Sequence, residues 1–202
     1  MKDQNLKIYS GVEFGSCPII EEFSIIGVPP RGHNEGDLKT IIGNGAHIRS
    51  HTVIYAGNKI GEKFQTGNKV NIRELNEIGD NVSIGTLSVI EHHVRIGNNV
   101  RIHSQVFVPE YSVLEDGAWL GPNVVLTNAK YPLSPEVKKA LKGPVIKRGA
   151  KIGANVTILP GVIIGENALI GAGSVVVKDV PDDVVLVGNP ARIIRNISEL
   201  PY

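Results

Sequence analysis

The sequence predicts an all-β fold, a parallel β-helix of six-residue repeats, on three observations. First, every sixth residue from Ile42 is aliphatic: Ile42, Ile48, Ile54, Ile60, Thr66, Ile72, Ile78, Ile84, Ile90, Ile96, Ile102, Val108, Leu114, Leu120 and Leu126. Fourteen of these fifteen are Ile, Val or Leu, yet those types fill only 62 of 202 positions, so about five would be expected from composition. Second, a period of six fits neither a helix nor a strand alone; it fits a short strand plus a turn, repeated, with one side chain per unit pointing inward. Third, 5% aromatics with 23 Gly and 12 Pro suits many tight turns around thin aliphatic layers.

The elements follow in order as a single domain, 1–202. Residues 1–28 form an irregular opening coil, with Ile20 and Ile26 six apart and Cys17-Pro18 and Pro29-Pro30 as punctuation. Residues 29–40 are polar and turn-rich and predict a loop leaving the stack. Residues 42–128 carry the regular coils. Gly at the second hexad position (Gly43, Gly61, Gly85) is expected to supply the positive φ of sharp corners. The fifth position is often small or β-branched (Ala46, Thr52, Val82), as extended backbone prefers. The phase lapses after Leu126 and resumes at Ile146, so 129–144 is an extruded loop. Ser134, Pro135 and Gly143 in that loop predict a helix of about two turns. Coils resume over 146–180. In the extension 181–202, residues 191–197 form a short strand or helix. Three hexads close one coil, giving about seven coils and a prism roughly 34 Å long at ~4.8 Å per coil. Val53, Phe64, Phe107, Trp119 and Leu169 fall outside the core phase, and outward apolar residues on a flat prism favour lateral association.

A net charge of +1 gives no reason to expect nucleic acid or an anionic membrane surface as partner. Cys17 is the only cysteine, which excludes a disulfide framework and a thiolate zinc site and suits a reducing cytosol. There is no apolar run of about 18 residues, so no membrane span is expected. The opening Met1–Leu6 is polar and lacks a signal-peptide core, so a cytoplasmic location is expected.

Residues 42–197 resemble the hexapeptide acyltransferases, homotrimeric left-handed β-helices that use acyl-CoA or acyl-carrier protein. The stretch 152–195, IGANVTILPGVIIGENALIGAGSVVVKDVPDDVVLVGNPARIIR, is similar to the acetyl-CoA-binding end of the acetyltransferase branch. The stretch 114–132, LEDGAWLGPNVVLTNAKYP, resembles the nucleotide-amino-sugar N-acetyltransferases of surface-polysaccharide pathways. The resemblance implies the left hand of the coil, a homotrimer, acetyl-CoA as donor without a metal, and a sugar nucleotide as acceptor.

Acetyl transfer from a thioester needs a base near the nucleophile, a donor for the developing oxyanion, and a groove for a long phosphate-bearing cofactor. His92, in SVIEHHVRIG, resembles the family's general base, and a histidine titrates near neutrality. The family's next residue is acidic; here it is His93, read as a solvated turn residue, so Glu91 or a neighbouring chain must orient the base. His103 is the second candidate for catalysis or substrate contact. His33, His47 and His51 are structural or surface residues. The resemblance carries cofactor contacts onto Ala154 and Ala172, one coil apart, and onto Arg192 and Arg195, whose guanidinium forks suit phosphate. Val177 stands where several relatives have Thr. Asn123, Asn128 and Tyr131 are candidate sugar contacts, with Lys138 and Lys139 on a solvated face. The alternatives are an O-acetyltransferase, a γ-class carbonic-anhydrase-like metalloenzyme, for which the histidine spacing fits poorly, and a non-catalytic assembly module.

Overall fold

The computed structural model describes residues 5–201. The polar opening at 1–4 and the final Tyr202 lie outside that range. The chain winds as a triangular prism. Face 1 has nine strands, face 2 eight and face 3 ten. Each coil donates one short strand to each face, in the parallel register of the 18-residue repeat: Ile72 pairs with Ile90, Ile78 with Ile96, and Ile84 with Ile102. The stack starts earlier than the Ile column, because Lys7–Ile8, Val12–Phe14 and Ile19–Ile20 already contribute one strand to each face. It closes with a hairpin in which Ala191–Asn196 runs antiparallel to Val184–Gly188 and adds to face 3.

The core consists of two columns per face. The first hexad position is the Ile ladder, with Ile42, Ile54, Ile72 and Ile90 fully buried. Thr66 interrupts it at no cost in unpaired groups, since its hydroxyl accepts from the Arg49 amide at 2.9 Å. The fifth position also faces inward: Val82, Val94 and Val100 are completely buried. That corrects the expectation for Phe64, which sits at a fifth position and is a 0% exposed core residue rather than an outward one.

Two roles predicted for one residue are in fact divided. The second-position glycines do not supply the positive φ. They are glycines because coils stack there at van der Waals limit: a Cβ on Gly85 would lie 2.4 Å from the His103 carbonyl carbon. Positive φ occurs instead at the fourth position, and on two of the three edges it is held by bulky side chains. Edge 1–2, between faces 1 and 2, has Leu75 (φ 61°), His93 (57°) and Tyr111 (63°). Edge 3–1 has Phe23, His51, Leu87 and Gln105. Edge 2–3 has Cys17 and Lys63 in its first coils and then runs through Asn81, Asn99, Gly117, Gly149 and Asn167, residue types that tolerate αL. Asx side chains there also tie coil to coil; the Asp80 and Asp116 carboxylates accept from the Glu62 and Asn98 amides at 2.8 and 2.7 Å.

Both insertions leave from edge 1–2. Ile26 pairs with Ile54 and Leu126 with Ile158, where uninterrupted coils pair residues 18 apart. The second insertion holds a single 3-10 turn, Val137–Lys139, instead of two α-turns. Ser134 does not cap it by its side chain; its carbonyl accepts from the Val137 amide. The 3-10 turn buries none of its residues, and a segment with three prolines has nothing to hold a longer helix.

Candidate functional site

The 18-residue stride stacks side chains along each edge, and on edge 1–2 it builds three adjacent columns: Arg73–Glu91, Glu74–His92–Glu110–Asn128, and Leu75–His93–Tyr111. The turn below is fixed from inside the prism. The buried Asn58 and Asn76 amides both donate to the Arg73 carbonyl at 2.8 Å. Asn76 also accepts from the Val94 amide above, at 2.8 Å, which pins the turn carrying His92 and His93.

Arg73 bonds Glu74 through Nε and a second nitrogen, at 2.9 and 3.0 Å, and approaches Glu91 at 3.5 Å. Its cation lies 5.0 Å from the Tyr55 ring centroid. The Glu74 hydrogen bonds raise the Arg73 pKa above its ordinary value. Burial pushes the Glu74 carboxyl up, but hydrogen bonding and charge from Arg73 outweigh it and hold it below the usual carboxylate range. For Glu91 burial wins over the more distant Arg73, and its carboxyl is pushed up.

His92 Nε2 lies 3.7 Å from Glu110 Oε1, and the other oxygen of that carboxylate accepts from Asn128 Nδ2 at 2.6 Å. Its Nδ1 is 2.8 Å from His93 Nδ1. Tyr111 packs against both rings, with centroids 6.0 and 5.7 Å away. The carboxylate facing His92 is Glu110 from the next coil. Glu91 points to Arg73. Glu110, Glu74 and Arg73 were not singled out from the sequence; stepping 18 residues either way from His92 reaches both glutamates.

His103 is not part of this cluster. It lies on edge 3–1, exposed, with its ring 4.6 Å from Trp119. On the same edge the later coils bring Pro122, Ala154 and Ala172 above Ser104, one per coil. Gly121 and Gly153 are pressed against the Ala154 and Ala172 amide nitrogens, at 2.9 and 2.6 Å for a built Cβ. The coil-to-coil hydrogen bonds run from the residues either side, Gly153, Asn155, Gly171 and Gly173. Gly173 has open space above it. Arg192 and Arg195 lie on the closing antiparallel strand; Arg192 borders a cleft of about 390 Å³ with Lys178 and Val177.

The candidate sugar contacts separate. Asn128 belongs to the histidine column. Asn123 is a positive-φ corner (60°) on edge 3–1, and Tyr131 is exposed in the insertion beside Lys130. His47 is bonded to Glu21 at 3.1 Å and His51 stacks on Phe23 at 4.9 Å. A shallow groove of about 700 Å³ along face 2, past Lys59, Glu77 and Arg95, is lined by none of the histidines.

A family model described as bacterial transferase hexapeptide, six repeats, matches residues 77–110 and 143–178. The chain is 45% identical over 86 residues to a galactoside O-acetyltransferase of Lactococcus lactis, covering 41% of this chain and 42% of that one. It is 59% identical over 49 residues to a dTDP-3-amino-3,6-dideoxy-alpha-D-galactopyranose 3-N-acetyltransferase of Aneurinibacillus thermoaerophilus, covering 24% and 26%. The chain spans about half the length of the curated relatives it matches. Its fold matches the crystal structure of a UDP-N-acetylglucosamine acyltransferase from Bacteroides fragilis with TM-score 0.61 at 18% identity, over 98% of this chain and 76% of that one. The prism is therefore a left-handed β-helix, and two stretches of it match the hexapeptide-repeat model.

Proposed function

We propose that this protein is an acetyl-CoA-dependent acetyltransferase whose site forms between neighbouring prisms of a homotrimer, acting on an amino sugar carried by a nucleotide. The observation that carries the reading is the pair of edges flanking face 1. Edge 1–2 holds the histidines and carboxylates; edge 3–1 holds the alanine ladder. Face 1 itself presents Ile25, Val53, Val89, Phe107, Val125 and Val175 outward. Among them Asn71 keeps a buried Oδ1 with no hydrogen-bond partner among the described residues. An orphaned acceptor in an apolar stripe is what a subunit interface would satisfy. With face 1 toward a three-fold axis, edge 1–2 of one prism abuts edge 3–1 of the next. His92 then meets the neighbour's His103, which lies about 3 Å further along the axis by coil rise.

The alanine edge suits an extended arm: Ser104 to Ala172 spans three coils, about 14 Å. Arg192 and Arg195 would meet the phosphate end. When bound, the cofactor supplies an acetyl group as a thioester. The chain's own task is to seat the acceptor against edge 1–2, take its proton on the histidine pair as the new bond to the acyl carbon forms, and return the proton to the departing sulfur. Glu91 and Glu110 suit the hydroxyls or the ammonium of a sugar. Local identity to the dTDP-amino-sugar enzyme supports the amine; the galactoside relative supports a hydroxyl acceptor as the second reading. A cytoplasmic location accords with the one exposed free thiol, Cys17.

The test is CoA release from acetyl-CoA against a panel of nucleotide-linked amino sugars and simple galactosides, with CoA binding followed by calorimetry. Release with an amino sugar is expected. The absence of both release and CoA binding removes the reading; release with galactosides alone moves it to O-acetylation.

A further inference from the structure

We propose that His93, not His92, presents the catalytic lone pair, through Nε2, and that His92, Glu110 and Asn128 act behind it as positioning residues. This rests on the acetyltransferase reading, on three contacts and on a difference in exposure. Asn128 Nδ2 holds one oxygen of Glu110 at 2.6 Å. The other oxygen faces His92 Nε2 at 3.7 Å. His92 Nδ1 and His93 Nδ1 share a hydrogen bond at 2.8 Å. His93 is exposed, while the His92 side chain keeps only 26% of its surface.

Two neutral imidazoles hold two protons on four nitrogens, and the Nδ1–Nδ1 bond needs one donor and one acceptor. If His92 donated from Nδ1, its Nε2 lone pair would point at the Glu110 carboxylate, and no proton would lie between them. The ionised carboxylate therefore selects the other arrangement, in which His92 carries its proton on Nε2 toward Glu110. Its Nδ1 then accepts from His93 Nδ1–H. The remaining lone pair is on His93 Nε2, at the solvent end of the chain of contacts, with Tyr111 beside the ring. When the acceptor's proton arrives at His93 Nε2, the imidazolium can move its Nδ1 proton onto His92, next to Glu110. The positive charge is spread over both rings and faces a carboxylate. Glu74, one coil below His92, and Glu91, beside it in the same coil, are engaged by Arg73 and add negative field without competing for the ring. As the carbon–sulfur bond breaks, His92 returns its Nδ1 proton to His93 Nδ1 and His93 Nε2 gives its proton to the thiolate, so both rings regain their starting neutral tautomers. The same relay explains why an acidic residue is not needed at position 93: the carboxylate is supplied from position 110, one coil up.

The experiment uses the full chain labelled with ¹⁵N-histidine and long-range ¹H–¹⁵N correlation above the imidazole titration. The expected spectrum has His92 protonated on Nε2 and His93 on Nδ1, and Glu110→Gln scrambles both assignments, because an amide offers a donor as well as an acceptor. In parallel, His93→Ala is expected to lower kcat for CoA release at least about a hundredfold, the contribution of a positioned base, with acetyl-CoA binding unchanged; His92→Ala is expected to cost less and to shift the pH profile. A bare His92 Nε2, or a larger loss in His92→Ala than in His93→Ala, overturns the assignment while leaving the acetyltransferase reading in place. Wild-type protein that binds no acetyl-CoA by calorimetry removes that reading and the base role together, whatever the spectrum shows.

Discussion

Arg73 sits between two carboxylates that it treats unequally, and the inequality gives opposite pH signatures. Glu74 takes the two-point bond and is held ionised, so its contribution to stability is present above its unfolded pKa and is lost as pH falls through the lower folded value. Glu74→Gln is expected to cost about 2 kcal/mol near neutral pH, with wild type and variant converging in acid; chemical denaturation at several pH values measures the gap. Glu91 is the reverse case. Its folded pKa is raised, so the ionised form opposes folding above that value, and the penalty fades as pH falls toward the unfolded range near about 4.3. Glu91→Gln should raise the melting temperature at pH 7 and lose that advantage in acid; a variant less stable at pH 7 would show that the Arg73 contact outweighs burial. On the opposite edge, Ala172→Asp places a carboxylate where the phosphate-bearing cofactor is proposed to run. It should weaken acetyl-CoA binding by roughly tenfold or more, about 1.4 kcal/mol, with the fold intact by circular dichroism.

A coil is held by contacts at fixed hexad positions, so its sensitivity is positional. Gly85→Ala puts a methyl group against the His103 carbonyl carbon and should cost about 1–3 kcal/mol by overpacking, visible as an earlier urea midpoint. Leu87, exposed at φ 61°, violates the backbone preference of a branched side chain. Leu87→Asn should therefore stabilise an isolated prism, unless Leu87 buries itself against a neighbour, in which case the melting temperature of the assembly falls. These positions also mark how far the sequence was legible. A strict period set by stacking declares itself in one dimension, so the Ile column and both excursions could be placed from residues alone, whereas the closing segment 191–197, outside the period, fits strand and helix alike. The fourth-position corners could not, because composition points to Gly and Asn while Leu75, His93 and Tyr111 hold the same φ; tertiary context overrides propensity there. Phe64 was misplaced because only the first position was taken as core. Glu110 was missed because its partner His92 is 18 residues away, a distance at which no local motif operates, although the coil length makes them neighbours.

At the scale of the molecule the three faces differ in what they offer a neighbour. Face 2 presents Lys59, Glu77 and Arg95 in register, a charged ladder content with water. Face 1 presents the aliphatic stripe interrupted by Asn71, and both of its edges keep bulky residues at αL corners. If that face is the trimer interface, Phe107→Glu, central on the stripe, buries a carboxylate without a partner and should dissociate the assembly; Lys59→Glu on face 2 should not. Sedimentation equilibrium should give three times the 21.7 kDa chain mass for wild type and Lys59→Glu, and the chain mass for Phe107→Glu. Transfer activity should fall with the mass, since the histidine edge and the alanine edge of one chain lie on opposite sides of face 1 and can meet only through a neighbour. A monomeric Phe107→Glu variant that still releases CoA at the wild-type rate would place the whole site within one prism and undo the shared-cleft geometry.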